Sequence, residues 1–480
     1  MRLVIVVAAL LAALSAVPVH AAGRYFAPDQ ESASAAIAAD AAGGLHAAHT
    51  GYDGETGDFI YYRHCTSGCE NAANWQSVAL PFTDPELIQI AATPEGKPRL
   101  LIQSAMFEAG ASTLLSYGEC NADCTAAANW TIVPVANKAE ETLGGLFQYR
   151  LTEHSFAVDG MGRPWFVYTD ANYGAEPDHY GTFLTTCEVD CTDPENWTDT
   201  NVAVRLPEQY TTEYWDQVAL AVTPDGHPRL LAKVWAIDDA GKEIENGQGL
   251  YYYECDADCT DRAGFHRTRI LDTGFGSYPN PGWDIEVLSD GRPRAVLFAG
   301  SDMEAESLDH TLIYMWCDTE CGGDNWNGHA LTARGDGEAP DLALTADGHP
   351  RIAFLGEHGD LGYLTCDVDC ESDTGQWALN LQDSTGDAAA DRPTALPYTC
   401  DAEIWNGFIP RIAVARGAPW FAYDLTVEAR CLYQEIGDPL ITYEFHELWR
   451  GSRLSWGNGV LVPPPAGATS GTTPLAGPSR

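Results

Sequence analysis

One pattern recurs along this 480-residue chain and decides what it can fold into. A short apolar strand runs into a glycine-containing turn that closes in Pro-Arg or Pro-Trp, and a second apolar strand follows. The copies read Thr93-Pro-Glu-Gly-Lys-Pro-Arg99, Asp159-Gly-Met-Gly-Arg-Pro-Trp165, Thr223-Pro-Asp-Gly-His-Pro-Arg229, Ser289-Asp-Gly-Arg-Pro-Arg294, Thr345-Ala-Asp-Gly-His-Pro-Arg351 and Arg416-Gly-Ala-Pro-Trp420, with a degenerate first copy at Asp40-Ala-Ala-Gly-Gly-Leu-His46. Aligned on Gly44, Gly96, Gly162, Gly226, Gly291, Gly348 and Gly417, they make seven units. Fixed-period self-similarity of this kind marks stacked supersecondary units, none of which can bury its apolar face alone.

Each unit continues alike. A tyrosine-rich strand ends in Cys-x-x-x-Cys: Cys65 and Cys69, Cys120 and Cys124, Cys187 and Cys191, Cys255 and Cys259, Cys317 and Cys321, Cys366 and Cys370. An aromatic residue then opens a fourth strand: Trp75, Trp130, Trp197, Phe265, Trp326 or Trp377. Four short strands per unit without helical period predict an all-β, seven-bladed propeller of four-stranded blades over residues 22–460. A solenoid of stacked hairpins is the competing architecture. Twelve of the 14 cysteines sit at i, i+4 across a hairpin turn, so they are expected to pair within their turns rather than bind zinc, since two such turns in different blades would rarely converge on one ion. Cys400 and Cys431 remain, and are expected to pair across the last, irregular blade where the ring must close.

Residues 1–21 carry one positive charge, an apolar run from Leu3 to Val17 and the small-residue site Val19-His20-Ala21, the pattern of a secretory signal peptide. The expected location is therefore extracellular or periplasmic, with no membrane insertion. Acidic residues number 69 against 26 Lys and Arg, a net charge of −43 that repels nucleic acid and anionic lipid surfaces. Only four of the basic residues are lysines, a composition suited to a saline habitat. With 14 Trp, 21 Tyr and 15 Phe, the chain holds enough aromatic bulk for a large core. A monomer is expected.

The turns within a unit differ in regularity. The Gly-x-Pro and cysteine turns are tight in every copy and share one face of a propeller. The other connections, such as residues 170–182, 236–249, 299–311, 133–148, 199–213, 272–282 and 383–407, are long and unequal, and emerge on the opposite face. Variable loops on a rigid scaffold are where recognition concentrates. Residues entering the innermost strands there are the expected ligand-binding set: Glu86, Trp215, Asp216, Trp283, Asp284 and Asp341. Aromatic rings beside carboxylates suit sugars, although Trp215 and Trp283 fit inter-blade packing equally well. Tyr149, Arg150, Glu153 and His154 form the one local cluster holding an acid, a base and an anion clamp, and are weak catalytic candidates. No metal site is expected, no cofactor is implied, and no strict Ca2+ loop, nucleophile elbow or phosphate loop occurs. Asn129-Trp-Thr131 and Asn196-Trp-Thr198 match the glycosylation triplet at positions the repeat already explains.

The Gly-x-Pro-Arg turn, the Tyr-Tyr strand, Cys-x-x-x-Cys and the following Trp resemble the repeats of bacterial secreted propellers of the sialidase-like (BNR) kind, over roughly residues 30–450. The resemblance implies an extracellular propeller that binds or processes glycans. The Ser-x-Asp-x-Gly-x-Thr-Trp box and the arginine triad of true sialidases are missing, so no catalytic residue carries over. The expected function is recognition of an extracellular ligand, a glycan before others, through the loop-rich face. A polysaccharide lyase or glycoside hydrolase sited at the channel mouth, and a protein-interaction scaffold, are the alternatives.

Residues 461–480 are rich in Pro, Gly, Ser and Thr and cannot bury a core. Truncation after Val462 is expected to leave the melting temperature within about a degree of the full chain. A large drop in a thermal scan would show that the tail completes a blade.

Overall fold

The computed structural model describes residues 34–461 except 54–56, 84, 105–114, 137–148, 151–153, 171–180, 203–204, 207–210, 238–248, 272–281, 299–310, 324, 333–336, 357–358, 373, 384–398, 407–408, 435–441 and 458–459. In several strand segments, among them 149–150, 211–217, 399–406 and 425–434, only the backbone is described. Within these limits the chain forms seven antiparallel sheets, each built from consecutive strands. The first blade pairs Ala35–Ala39, Leu45–Asp53, Gly57–Cys65 and Gln76–Pro81 in that order. The innermost strands of the next six are Pro85–Ala92, Phe156–Val158, Thr211–Val222, Trp283–Val287, Glu338–Leu344 and Arg411–Ala415. The only helical segments among the described residues are single 3-10 turns after some of the cysteine turns.

The repeated residues each carry a defined contact. Arg99, Arg229, Arg294 and Arg351 open the second strand of their blades and are nearly buried. In each, Nη1 donates to the preceding proline carbonyl and to the carbonyl of the first cysteine of the turn, as in Arg351 at 2.9 Å from Pro350 O and 3.0 Å from Cys366 O. Nη2 donates to the next residue's side chain, Asn121, Asp256, Asp318 or Asp367. The planar guanidinium fork serves all three acceptors at once, which is why arginine follows the turn proline.

The cysteine turns close as the spacing predicts, each within its own blade. Disulfides join Cys65 to Cys69, Cys120 to Cys124, Cys187 to Cys191, Cys255 to Cys259, Cys317 to Cys321 and Cys366 to Cys370, with Cα–Cα separations of 5.6–5.8 Å. The residue before the second cysteine lies in the left-handed region: Gly68, Asp123, Asp190, Asp258, Glu320 and Asp369. Asn74, Asn129 and Asn196 donate back to that residue's carbonyl, which is the structural use of the two glycosylation-like triplets. The indoles of Trp75, Trp130, Trp197 and Trp326 donate to the carbonyl of the second cysteine, Cys69, Cys124, Cys191 and Cys321 respectively.

Between blades, a third-strand tyrosine meets the next blade's tryptophan edge to face. Tyr62–Trp130, Tyr117–Trp197, Tyr252–Trp326 and Tyr314–Trp377 have ring centroids 4.8–5.2 Å apart and interplanar angles of 63–67°. These tyrosines are fully buried.

Three sequence expectations shift. The left-handed glycine of the first turn is Gly43 (φ 78°), one residue before the glycine that the alignment chose, because Asp40 accepts from the N–H of Ala42 and of Gly44 just as Asp159 accepts from Met161 and Arg163. The connections at 199–213 and 383–407 are not wholly irregular: Arg205–Leu206 pairs with the start of Thr211–Val222, and Thr399–Asn406 pairs with the overhang of the long strand Ala418–Gln434. An overhanging strand leaves backbone donors and acceptors that an added strand satisfies. Finally, the ring closes by face packing of the first and seventh blades, where Ala35, Ile37 and Ala47 meet Ala413, Ala415, Trp420 and Leu454. Cys400 and Cys431 stand opposite each other in the seventh sheet, away from that seam, and their side chains lie outside the described residues.

Arg351→Lys is expected to destabilise the protein by about 1–3 kcal/mol, because an ammonium cannot serve two carbonyls and a carboxylate in one plane. Denaturant unfolding checks this; an unchanged midpoint would mean that the arginine is incidental to its turn.

Candidate functional site

The innermost strands run from the loop-rich face toward the tight-turn face, so their first residues ring the axis at the loop-rich end. There, side chains bond to the backbone of the following blade. Ile88 N–H donates to Ser34 Oγ at 3.1 Å, and Ser155 N–H to Gln89 Oε1 at 3.1 Å. Leu342 N–H donates to Asp284 Oδ2 at 2.8 Å, and Ile412 N–H to Asp341 Oδ2 at 3.1 Å. Between the third and fourth blades the acceptor is the carbonyl of His154, 2.7 Å from Leu220 N.

Two irregularities bring further groups to this ring. In the third blade the pairing steps from Arg150 opposite Thr169 to Phe156 opposite Phe166, and His154 sits in the excess of residues on the inner side. In the sixth blade the register shifts between Glu338 and Asp341, with Ala339 at φ 46°. Bulges re-aim side chains in this way. His154 consequently reaches across the axis: its Nδ1 lies 3.4 Å from Asp284 Oδ1, and Arg411 Nη1 lies 3.0 Å from Nδ1 and 3.2 Å from Nε2. Its ring also bonds to the Pro340 carbonyl. A neutral imidazole accepts at one nitrogen and donates from the other, which fits an arginine on one side and a carbonyl on the other. Arg411 Nη1 is 3.8 Å from Asp341 Oδ2. Groups from the third, fifth, sixth and seventh blades thus form one cluster.

Its charge is unbalanced. Asp284, Glu286 and Asp341 contribute three carboxyls against one guanidinium. Burial holds His154 well below its ordinary value, and Arg411 adds to the effect. Burial drives Asp284 well up, reinforced by Asp341 and Glu286. Asp341 is raised by burial while Arg411 opposes the shift, and it hydrogen-bonds to Asp284, so the two aspartates share a proton. Glu286, two residues along the same strand from Asp284, is half-buried, and burial followed by Asp341 pushes it up to about 8. Near neutral pH the cluster therefore holds protonated acids, a neutral imidazole and a fixed cation within one small volume. Such a set donates to and accepts from hydroxyls, and can exchange protons near neutrality.

Of the residues singled out in the sequence, His154, Asp284 and Asp341 come together here. Trp283 does not face the channel: it is buried between the fourth and fifth blades, with its indole N–H donating to Leu231 O at 3.1 Å. Glu86 is exposed near the rim and accepts from Gln103 Nε2. The side chains of Tyr149, Arg150, Trp215 and Asp216, and all of Glu153, lie outside the described residues. Arg411 and Glu286 were missed. Aligning the copies reveals Arg411: it precedes Ile412 as Asp284 precedes Ile285 and Asp341 precedes Leu342. No comparable signal points to Glu286.

No family model matches the sequence, and no curated protein matches it. Among solved structures, an ulvan lyase described as a new polysaccharide lyase family, PL25, aligns with a TM-score of 0.47 at 9% identity over 90% of this chain and 96% of its own. The GH93 alpha-L-arabinofuranosidase of Fusarium graminearum, solved with arabinobiose, gives 0.43 at 13% identity over 70% and 93%. A protein of unknown function from Dyadobacter fermentans gives 0.38 at 11% over 90% and 97%.

Glu286 takes up a proton more readily in the folded chain than at its ordinary value of 4.5, so the folded state loses stability as pH rises from about 4.5 to about 8. Glu286→Gln, which copies the protonated acid, is expected to remove that decline: its melting temperature should gain on the wild type progressively across this window. A constant offset between the two would refute the assignment. Trp283→Ala is expected to cost about 3–5 kcal/mol through lost inter-blade packing, read by denaturant unfolding.

Proposed function

We propose that this chain is an exported recognition propeller that takes a hydroxyl-rich ligand, a glycan, at the loop-rich end of its axis. The observation that carries the reading is the convergence of His154, Asp284, Asp341 and Arg411 from four blades on that end, through two strand irregularities whose shared outcome is this cluster. The side chains of His154, Asp284, Asp341 and Arg411 are nearly buried and form the floor, whereas Glu286 is half-buried and would meet the ligand. Sugar hydroxyls both donate and accept, and a floor of two aspartates sharing a proton, a neutral imidazole and a guanidinium matches them.

A second reading, a lyase or hydrolase at the same place, is favoured by one feature: Glu286, pushed to about 8 by burial and Asp341, and the neutral imidazole of His154 both adjoin the aspartate pair, so an acid and a base coexist there near neutral pH.

A glycan array on the full-length mature protein, with reducing-end and unsaturated-uronate assays alongside, tests both. Bound glycans are expected to lose affinity by about tenfold or more in His154→Gln and Glu286→Gln, and in Trp215→Ala and Asp216→Ala at the adjoining strand, while circular dichroism stays unchanged. Turnover abolished in Glu286→Gln would select the enzyme. A wild type that retains no glycan, or variants that bind as it does, would overturn the axial site and leave the protein-ligand alternative.

A further inference from the structure

The first blade departs from the arginine device of the others. Where Arg99 and Arg229 face Glu119 and Glu254 across the second and third strands, this blade places His46 opposite His64. The two imidazoles stack with centroids 4.6 Å apart at 14°. Asp40, the first residue of the preceding turn, spends Oδ1 on the N–H groups of Ala42 and Gly44 and turns Oδ2 toward His46 Nε2 at 3.5 Å. In the third blade the matching aspartate, Asp159, is neutralised by Arg163 Nε at 2.7 Å. The first blade has Gly44 at that position.

One donor atom each from Asp40, His46 and His64 lies within 4.8 Å of the others. His46 is 1% exposed; its Nδ1 bonds to the Tyr62 hydroxyl at 2.7 Å, while its Nε2 is buried and makes no hydrogen bond. A buried ring nitrogen aimed at a carboxylate oxygen too distant for a sound hydrogen bond is an arrangement that a cation completes. We propose that Asp40, His46 and His64 form a site for a divalent first-row transition metal, with zinc the fitting ion, on the tight-turn face of the first blade.

Two imidazoles and a carboxylate form a common zinc donor set, and metal–ligand bonds of about 2.1 Å place tetrahedral ligand atoms about 3.4 Å apart, close to the separation of Asp40 and His46. Burial keeps both imidazoles below their ordinary value, His46 at about 4, so both present the neutral, ligating form at neutral pH. The Tyr62 contact on Nδ1 is the kind of outer hydrogen bond that orients a ligating histidine. The fourth position is left to water or an external donor. The axial His154–Asp284–Asp341 group satisfies the distance criterion too, but Arg411 already stands among its atoms and both aspartates accept backbone N–H groups. Bound zinc would tie the turn, the second strand and the third strand of the blade that packs against the seventh.

The test uses full-length mature protein without a histidine tag, stripped with EDTA and titrated with Zn2+ by calorimetry and with Co2+ by visible absorption. The expected result is one equivalent bound, a tetrahedral Co2+ spectrum and a raised melting temperature with zinc. Asp40→Asn, which keeps the turn hydrogen bonds through its amide oxygen, should weaken binding by about tenfold or more. The double variant His46→Arg with His64→Glu installs the pair of the second and fourth blades, and should fold with its six disulfides yet bind no zinc. Absence of saturable binding below millimolar zinc, variants that bind as the wild type does, or loss of binding in His154→Gln instead would overturn the proposal.

Discussion

A ring of sheets survives only if each blade's face fits the next, and in this chain that fit turns on a tyrosine and a tryptophan set edge to face. The contact recurs at four of the junctions with nearly constant distance and angle. It places two large apolar groups with the favourable sense of their quadrupoles. Much else follows from keeping the indole in place. The N–H groups of Trp130, Trp197 and Trp326 are held by the carbonyl of the second cysteine, and the cysteine turn is held in turn by its disulfide and, before Trp130 and Trp326, by the arginine fork. The staple, the fork and the aromatic pair are successive supports of one interface. Because a disulfide across four residues removes little chain entropy, its contribution is to hold the turn that carries the indole's acceptor.

The seven blades were legible because most copies spell out several links of that chain of supports in residues: glycine and proline at the turn, arginine or tryptophan after it, tyrosine, paired cysteines and an aromatic. The aspartate before the second cysteine adopts a left-handed conformation that few side chains tolerate. The first turn slips by one residue in a sequence alignment because it holds two adjacent glycines and no side chain to register them. The functional end was only partly legible. His154, Asp284 and Asp341 could be named because they enter innermost strands, but the contact of His154 with residues far along the chain depends on the register steps between Arg150 and Phe156 and between Glu338 and Asp341, and no periodic reading contains those. Trp283 illustrates the ambiguity of an aromatic beside an aspartate: successive strand residues point to opposite faces, so one of the two enters the seam while the other enters the channel.

The axial cluster and the blade-one histidines share an electrostatic logic. The surface is strongly acidic, yet the buried carboxyls resist ionisation and the buried imidazoles resist protonation, because burial penalises charge of either sign. The interior is thus nearer neutrality than the exterior. The end of the axis is a place where the exterior's strongly cation-attracting field gives way to carboxyls that burial holds back from ionising.

Among the described residues, the backbone N–H bonds that stitch one innermost strand to the next run the same way. The earlier blade supplies the acceptor, from Ser34, Gln89, the His154 carbonyl, Asp284 and Asp341, and the later blade supplies the backbone donor. The ring is therefore polar in sequence order, like a zip with a leading and a trailing end. A chain delivered from its N-terminus presents each receiving side chain before the strand that needs it arrives. The seventh blade offers Arg411 where the fifth and sixth offer Asp284 and Asp341, and its guanidinium turns to His154 of the third blade, so the last link of the zip becomes a strut across the circle's centre.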